Sequence, residues 1–246
     1  MCFVFGASYP FLSPGIILVI SEGPYEIVNL FNSKKKYGLK VGGQYVPSVG
    51  LSVGGILQKS PIICGGFANG WIMKNCFVIG QPRLEMNMDI QRQAAASCVL
   101  SNDTLWIVGG ETGISQGSVS LRSTEFIKLG YPSLKGPDMP FTINRHCMIQ
   151  YDDESIYIIG GNQNSLHCSK KTWIVNPKNG FQIREGPSLN VERMNHACAK
   201  MTINGRTKLV VTGGYIKSSG EYLDSVEILD PLPDVFGVCY GWTQGL

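Results

Sequence analysis

Between residues 61 and 232, short apolar runs alternate with polar, glycine-rich stretches. Four runs share one shape: Pro61 to Cys64 before Gly65-Gly66, Leu105 to Val108 before Gly109-Gly110, Ile156 to Ile159 before Gly160-Gly161, and Leu209 to Thr212 before Gly213-Gly214. The pattern returns every 44 to 53 residues. Rich in β-branched and aromatic side chains and bounded by turn residues, each run predicts a strand buried on both faces. A Gly-Gly step admits positive φ and close backbone approach, which a sharp exit from a crowded strand demands.

The flanking segments recur as well. An arginine followed by a small or apolar stretch comes first: Arg92 to Leu100, Arg145 to Tyr151, Arg193 to Ile203. Turn sequences then lead into the glycine-ended strand: Ser101-Asn102-Asp103, Asp152-Asp153-Glu154 and Asn204-Gly205. That predicts a hairpin. After the glycines a polar loop reaches a third strand (Ser123 to Ile127, Lys171 to Val175, Ser225 to Asp230), and a fourth element closes on Gly136-Pro137 or Gly186-Pro187. A lone four-stranded meander cannot bury both faces, so such units must stack. A period of about 50 residues with four strands is that of a propeller blade in an all-β fold, not of a helical solenoid.

Arg-x-x-His ahead of an apolar strand into Gly-Gly, then Ser225-Val226-Glu227-Ile228-Leu229-Asp230-Pro231, then a tryptophan near a Gly-Pro corner, resembles the kelch repeat. The resemblance covers residues 61 to 246 and implies a kelch-type β-propeller. Tyr25 to Leu30 suits a further third strand, although Ser21-Glu22-Gly23 stands where Gly-Gly is expected. Third strands near 26, 76, 125, 172 and 227 therefore imply about five blades, short of the six or seven usual in that family, and an incomplete six-bladed ring. The chain stops at Gly241 to Leu246, where earlier units read Gly-Pro and continue, which reads as a fragment cut inside a fourth strand. Ile62 to Gly66, Cys76 and Arg145-His146-Cys147 also resemble secreted invertebrate kelch proteins. That likeness implies a disulfide between Cys64 and Cys76 and an extracellular rather than cytoplasmic setting.

With 43% hydrophobic and 16% charged residues the 246-residue chain has ample core material and too little charge for disorder. One propeller domain over 24–246 is expected, preceded by residues 1–23. Gly15 to Gly23 has the apolar centre and small-residue end of a secretory signal, yet no Lys or Arg precedes Lys34. It reads equally as a degenerate signal or as a first strand. Its apolar run is too short to span a bilayer, and no transmembrane segment is expected. The net charge is +3, and the densest basic run, Lys34 to Lys36, reads as a solvated turn rather than a nucleic-acid groove. Eight cysteines include no C-x-x-C pair, so zinc and thioredoxin-type motifs are absent.

Enzyme motifs do not assemble. Gly113 to Gly117 fits G-x-S-x-G, but a loop and strand follow where a nucleophile elbow needs a helix. The three histidines, His146, His167 and His196, build no catalytic or metal set. His146 and His196 share one repeat position and read as structural, hydrogen-bonded residues. Some kelch-type propellers are copper oxidases, a role needing two histidines and two tyrosines at one centre; a degenerate copper-oxidase-like propeller is therefore a further alternative. No metal or cofactor is expected.

Binding remains. The resemblance places Arg92, Arg145 and Arg193 at the propeller mouth, where equivalent arginines can clasp an acidic peptide through their planar fork. The same side chains equally suit bonding to carbonyls between blades. Trp106, Trp173 and Trp242 read as packing residues. Asn102-Asp103-Thr104 is a glycosylation sequon on an expected hairpin tip. The function expected is a non-catalytic protein-interaction module, with a secreted carbohydrate- or matrix-binding propeller as the alternative. Specificity is expected in the unequal loops around Phe67, Glu111, Asn162 and Tyr215.

Overall fold

The computed structural model describes residues 38–41, 44–47, 51–68, 70–78, 81, 84–113, 117–163, 167–231 and 241–245. The segment 1–23, the strand expected at Tyr25 to Leu30, the run Lys34 to Lys36 and the centre of Gly113 to Gly117 lie outside them. Every regular element among the described residues is a β-strand. The chain divides into two compact units, one ending at Asn144 and the other beginning at Arg145.

In the first unit, β1 (Gly38–Val41) and β2 (Gln44–Pro47) pair as a short ribbon. The first four-stranded sheet follows with β3 (Val53–Leu57) and β4 (Ser60–Cys64), a hairpin of β5 (Phe67–Ala68) and β6 (Trp71–Ile72), then β7 (Asn75–Val78) and β8 (Glu85–Asn87). The second sheet repeats this scheme. It comprises β9 (Ala96–Val99), β10 (Leu105–Val108), the hairpin β11 (Glu111–Thr112) and β12 (Val119–Ser120), then β13 (Thr124–Ile127) and β14 (Leu134–Lys135). In the second unit the third sheet is β15 (Cys147–Gln150), β16 (Ile156–Ile159), β17 (Thr172–Asn176) and β18 (Gln182–Glu185), with one bridge between Asn162 and Cys168 in place of the hairpin. The fourth sheet is β19 (Ala197–Ile203), β20 (Arg206–Thr212), the hairpin β21 (Tyr215–Ile216) and β22 (Glu221–Tyr222), then β23 (Val226–Leu229) and β24 (Thr243–Gln244). In each four-stranded sheet the strands lie antiparallel in chain order, the strand order of a β-propeller blade.

The glycine pairs end the second strand of every sheet, and their backbone repeats closely. The first glycine has φ of 62–65° and the second 88–104°. Space is as restrictive as conformation, because a Cβ on Gly109 would stand 2.2 Å from the Ile143 carbonyl oxygen. The close approach carries a bond: the second-glycine N–H groups of Gly66, Gly110 and Gly161 donate to the carbonyls of Arg92, Ile143 and Arg193 at 2.7–2.9 Å. Two residues beyond those carbonyls the chain is again left-handed, at Ala94, Arg145 and Asn195, as it is at Leu51 before β3. These residues connect too. Ala94 N–H donates to the Leu51 carbonyl, and Asn195 N–H to that of Arg145.

Each unit has its own core. In the first, Leu57, Ile62 and Val78 pack with Leu105, Ile107 and Ile127; in the second, Tyr157, Ile159 and Ile174 pack with Leu209, Val211, Leu229 and Trp242. Strands β10 and β16 are buried at every position, as their unbroken apolar runs predict. Trp106 is sealed in the sheet and stacks on Phe126 at 6.3 Å, and Trp242 donates its indole N–H to the Pro187 carbonyl, so both are packing residues.

Candidate functional site

Arg92 and Arg193, candidates for a binding surface, are buried in the sheets they precede. One guanidinium nitrogen of Arg92 donates to the carbonyls of Gly109 (2.8 Å) and Ser123 (3.0 Å), and the other to the Ser123 hydroxyl and to Glu125 (2.5 Å). Arg193 repeats every contact with Gly213, Ser225 and Glu227. The carbonyls served are therefore those of the arginine's own sheet rather than of a neighbouring blade. Both carboxylates are used further, Glu125 by the Asp89 and Ile90 N–H groups and the Ser133 hydroxyl, and Glu227 by Asn190 and the Val191 N–H. Burial works against the Glu125 charge, but the Ser133 bond, the Arg92 charge and the Asp89 N–H outweigh it and hold the carboxyl below its usual range. Both terminal nitrogens of each guanidinium are bonded inside the sheet and the side chains are buried, so these arginines offer no clasp for an acidic peptide.

Arg145 is not their equivalent. It lies two places later in the repeat, at the left-handed position shared with Leu51, Ala94 and Asn195, and Ile143 holds the place of Arg92 and Arg193. The partner position changes with it. Opposite the glycine-ended strands, Ile107 and Val211 face Glu125 and Glu227, whereas Ile158 faces Trp173 and Ile63 faces Phe77. Arginine and glutamate occur together in the second and fourth sheets, and in the third Ile143 goes with Trp173. Half of a buried ion pair would be worse than none, which explains why the two positions change as a unit.

His146 and His196 do share one repeat position, immediately ahead of β15 and one residue ahead of Ala197 in β19, and both are buried. At His146 neither ring nitrogen has a partner of good geometry; at His196 the Ile159 backbone is the one hydrogen-bonding neighbour, in less than good geometry. The His196 side chain occupies space left by two absent side chains, since a Cβ on Gly160 would stand 2.7 Å from its Cε1 and one on Gly214 2.9 Å from its Cβ. Burial drives both imidazoles to a pKa of about 3, with Arg193 and His146 adding to the effect at His196. They are neutral at physiological pH. Among the described residues no group of three or more His, Cys, Asp or Glu is placed to hold a metal ion.

Cys64 and Cys76 form the disulfide implied by the resemblance, directly opposite each other on β4 and β7. A second bridge, Cys147 to Cys198, joins the third and fourth sheets. Sequence reasoning missed it, although both cysteines stand near the start of the first strand in consecutive repeats. Cys98 and Cys168 remain as buried thiols, and burial pushes Cys98 up to about 12.

The hairpins after the glycine pairs of the first, second and fourth sheets face solvent, as do Tyr131 and Leu134 outside them. The second strands of these hairpins end at aligned positions, fixed by bonds from Met73, Leu121 and Leu223 back to Gly66, Gly110 and Gly214, and Ser169 makes the same bond to Gly161 after the bridge of the third sheet. In the first unit the residue two before that bond is Trp71, 70% exposed, or Val119, 61% exposed, and Phe67 lies opposite Ile72 on the same hairpin as Trp71. In the second unit Tyr222, 59% exposed, tilts against Tyr215 at 5.1 Å. Trp71 was not singled out by its sequence, because nothing local distinguishes an exposed tryptophan from one that packs. At the other end of the second sheet, Asn102 is exposed on the β9–β10 turn.

No helix among the described residues is long and apolar enough to cross a membrane. No protein-family model matches the chain, and no curated protein matches it. The fold and surface together define an all-β, β-propeller-like protein with two disulfides among the described residues.

Proposed function

We propose that this is a kelch-type propeller acting as a non-catalytic protein-interaction module, whose contact surface is the hairpins that follow the Gly-Gly pairs. The observation that carries this reading is the contrast in where side chains are spent. The repeated charges are consumed inside the sheets, while Phe67, Trp71 and Val119 of the first unit stand in water. Large aromatics are costly to leave exposed and common at the centre of interfaces. About five blades remain the reading of the repeat count.

Replacing Trp71 with a photo-crosslinking aromatic tests the surface, with Tyr131, an exposed aromatic outside the hairpins, as the control position. A discrete crosslinked partner from position 71 but not 131, lost when Phe67 is changed to Ala, is the expected result. Equal crosslinking from both positions, or from neither, would remove the hairpins as the contact surface.

A secreted carbohydrate-binding propeller is the second reading. An exposed indole face suits stacking on a sugar ring, and two disulfides suit an oxidising compartment. Binding on a glycan array that disappears with Trp71→Ala would favour it over a protein partner.

A further inference from the structure

Asn102 opens Asn102-Asp103-Thr104, the one Asn-x-Ser/Thr sequence in the chain. We propose that Asn102 carries an N-linked glycan. The three residues are placed differently. The Asn102 side chain is exposed at the turn. Asp103 is left-handed, with φ of 61°, and its carboxylate accepts the Gln58 N–H at 3.0 and 3.2 Å. Thr104 is 8% exposed, and its carbonyl accepts the Leu100 N–H to close the hairpin. A transferase that reads the hydroxyl of the third residue needs this stretch open, so transfer precedes closure of the β9–β10 hairpin. Once the hairpin closes, the threonine is packed and the asparagine stays in solvent. The sugar then rides on the folded hairpin without displacing a buried group.

Two further observations agree. Disulfides Cys64–Cys76 and Cys147–Cys198 form in an oxidising compartment such as the endoplasmic reticulum, where these glycans are also transferred; the proposal rests on that setting. The β9–β10 turn also lies at the opposite end of the second sheet from the β11–β12 hairpin. A glycan there leaves the hairpin surface clear.

The donor is an oligosaccharide joined through its anomeric carbon to a lipid pyrophosphate. The Asn102 amide nitrogen forms a C–N bond to that carbon as the carbon–oxygen bond to phosphate breaks. The lipid pyrophosphate leaves with the electron pair, and a base of the transferase takes one amide proton.

The test is expression of the full chain through the secretory pathway of a eukaryotic cell, with both disulfides verified in the secreted product. One glycan should be present, released by peptide-N-glycosidase with conversion of Asn102 to aspartate. Asn102→Gln should abolish it, and Thr104→Ser, which keeps the acceptor sequence, should retain it. Secreted, disulfide-bonded protein whose Asn102 peptide is unmodified would overturn the proposal. So would a mobility shift that survives Asn102→Gln.

Discussion

The guanidinium of Arg193 meets the Glu227 carboxylate at 2.7 Å inside the fourth sheet, with both side chains sealed from water. Glu227→Ala leaves that cation buried without its counter-charge and is expected to cost about 3–5 kcal/mol, read as a lower denaturant midpoint. Combining Arg193→Ile with Glu227→Trp copies the residues at the corresponding positions of the third sheet. That double variant should lose less than the two single changes added together, as coupled neighbours do. Strictly additive losses would show that the pair is not a unit.

The buried histidines make stability depend on acid. In the unfolded chain each imidazole takes a proton near pH 6.5, whereas the folded protein holds both to about pH 3. The unfolded state therefore binds more protons between these values, so stability is full above pH 6.5 and falls as pH drops through the window. Each histidine should contribute about 1.4 kcal/mol per pH unit there. Urea unfolding at pH 5 and 7 should show a smaller difference in His146→Ala, and a smaller one still when His196→Ala is added; alanine is the residue at the matching position 95. An unchanged difference would mean that the rings are protonated in the folded state.

The two disulfides should not be equivalent. Cys147–Cys198 spans 51 residues and Cys64–Cys76 only 12. In the chain-entropy account the longer loop contributes about 4 kcal/mol and the shorter about 3. Paired Cys→Ser replacements should accordingly lower the unfolding free energy more at 147 and 198. A larger loss at 64 and 76 would place the effect in native packing instead.

Gly109 is expected to be intolerant. Alanine there would combine a φ of 62° with a 2.2 Å approach to the Ile143 carbonyl, and a loss of about 1–3 kcal/mol or more follows from the strain alone. Alanine at Gly180, where φ is 59° but nothing stands within 4 Å, isolates the backbone part. Calorimetry on both variants would separate the contributions, and equal melting temperatures would exclude the clash.

Much of the fold was legible because it is written in short-range pattern. Apolar runs, turn residues and glycine pairs each act within a few residues, and the strands, hairpins and left-handed glycines formed where they predicted. The arginines were misphased for a related reason. Arg145 was matched to Arg92 and Arg193 by residue type, yet counting from the shared His146 and His196 puts Ile143 in that place, three residues ahead, as Arg193 is of His196. The disulfide between Cys64 and Cys76 came with the resemblance; that between Cys147 and Cys198 joins two sheets, and its partners meet only after the second unit packs.

By itself, then, the sequence determined the repeat and its strands, since backbone conformation and binary patterning are local properties. Tertiary structure decided which polar groups remain available. Arg92 and Arg193 carry charges that the sequence leaves open between the propeller mouth and carbonyls between blades, and only the surrounding carbonyls, serine and glutamate of their own sheets make burial favourable. Trp71 shows the reverse, an apolar ring left in solvent on a hairpin whose two strands pair only with each other.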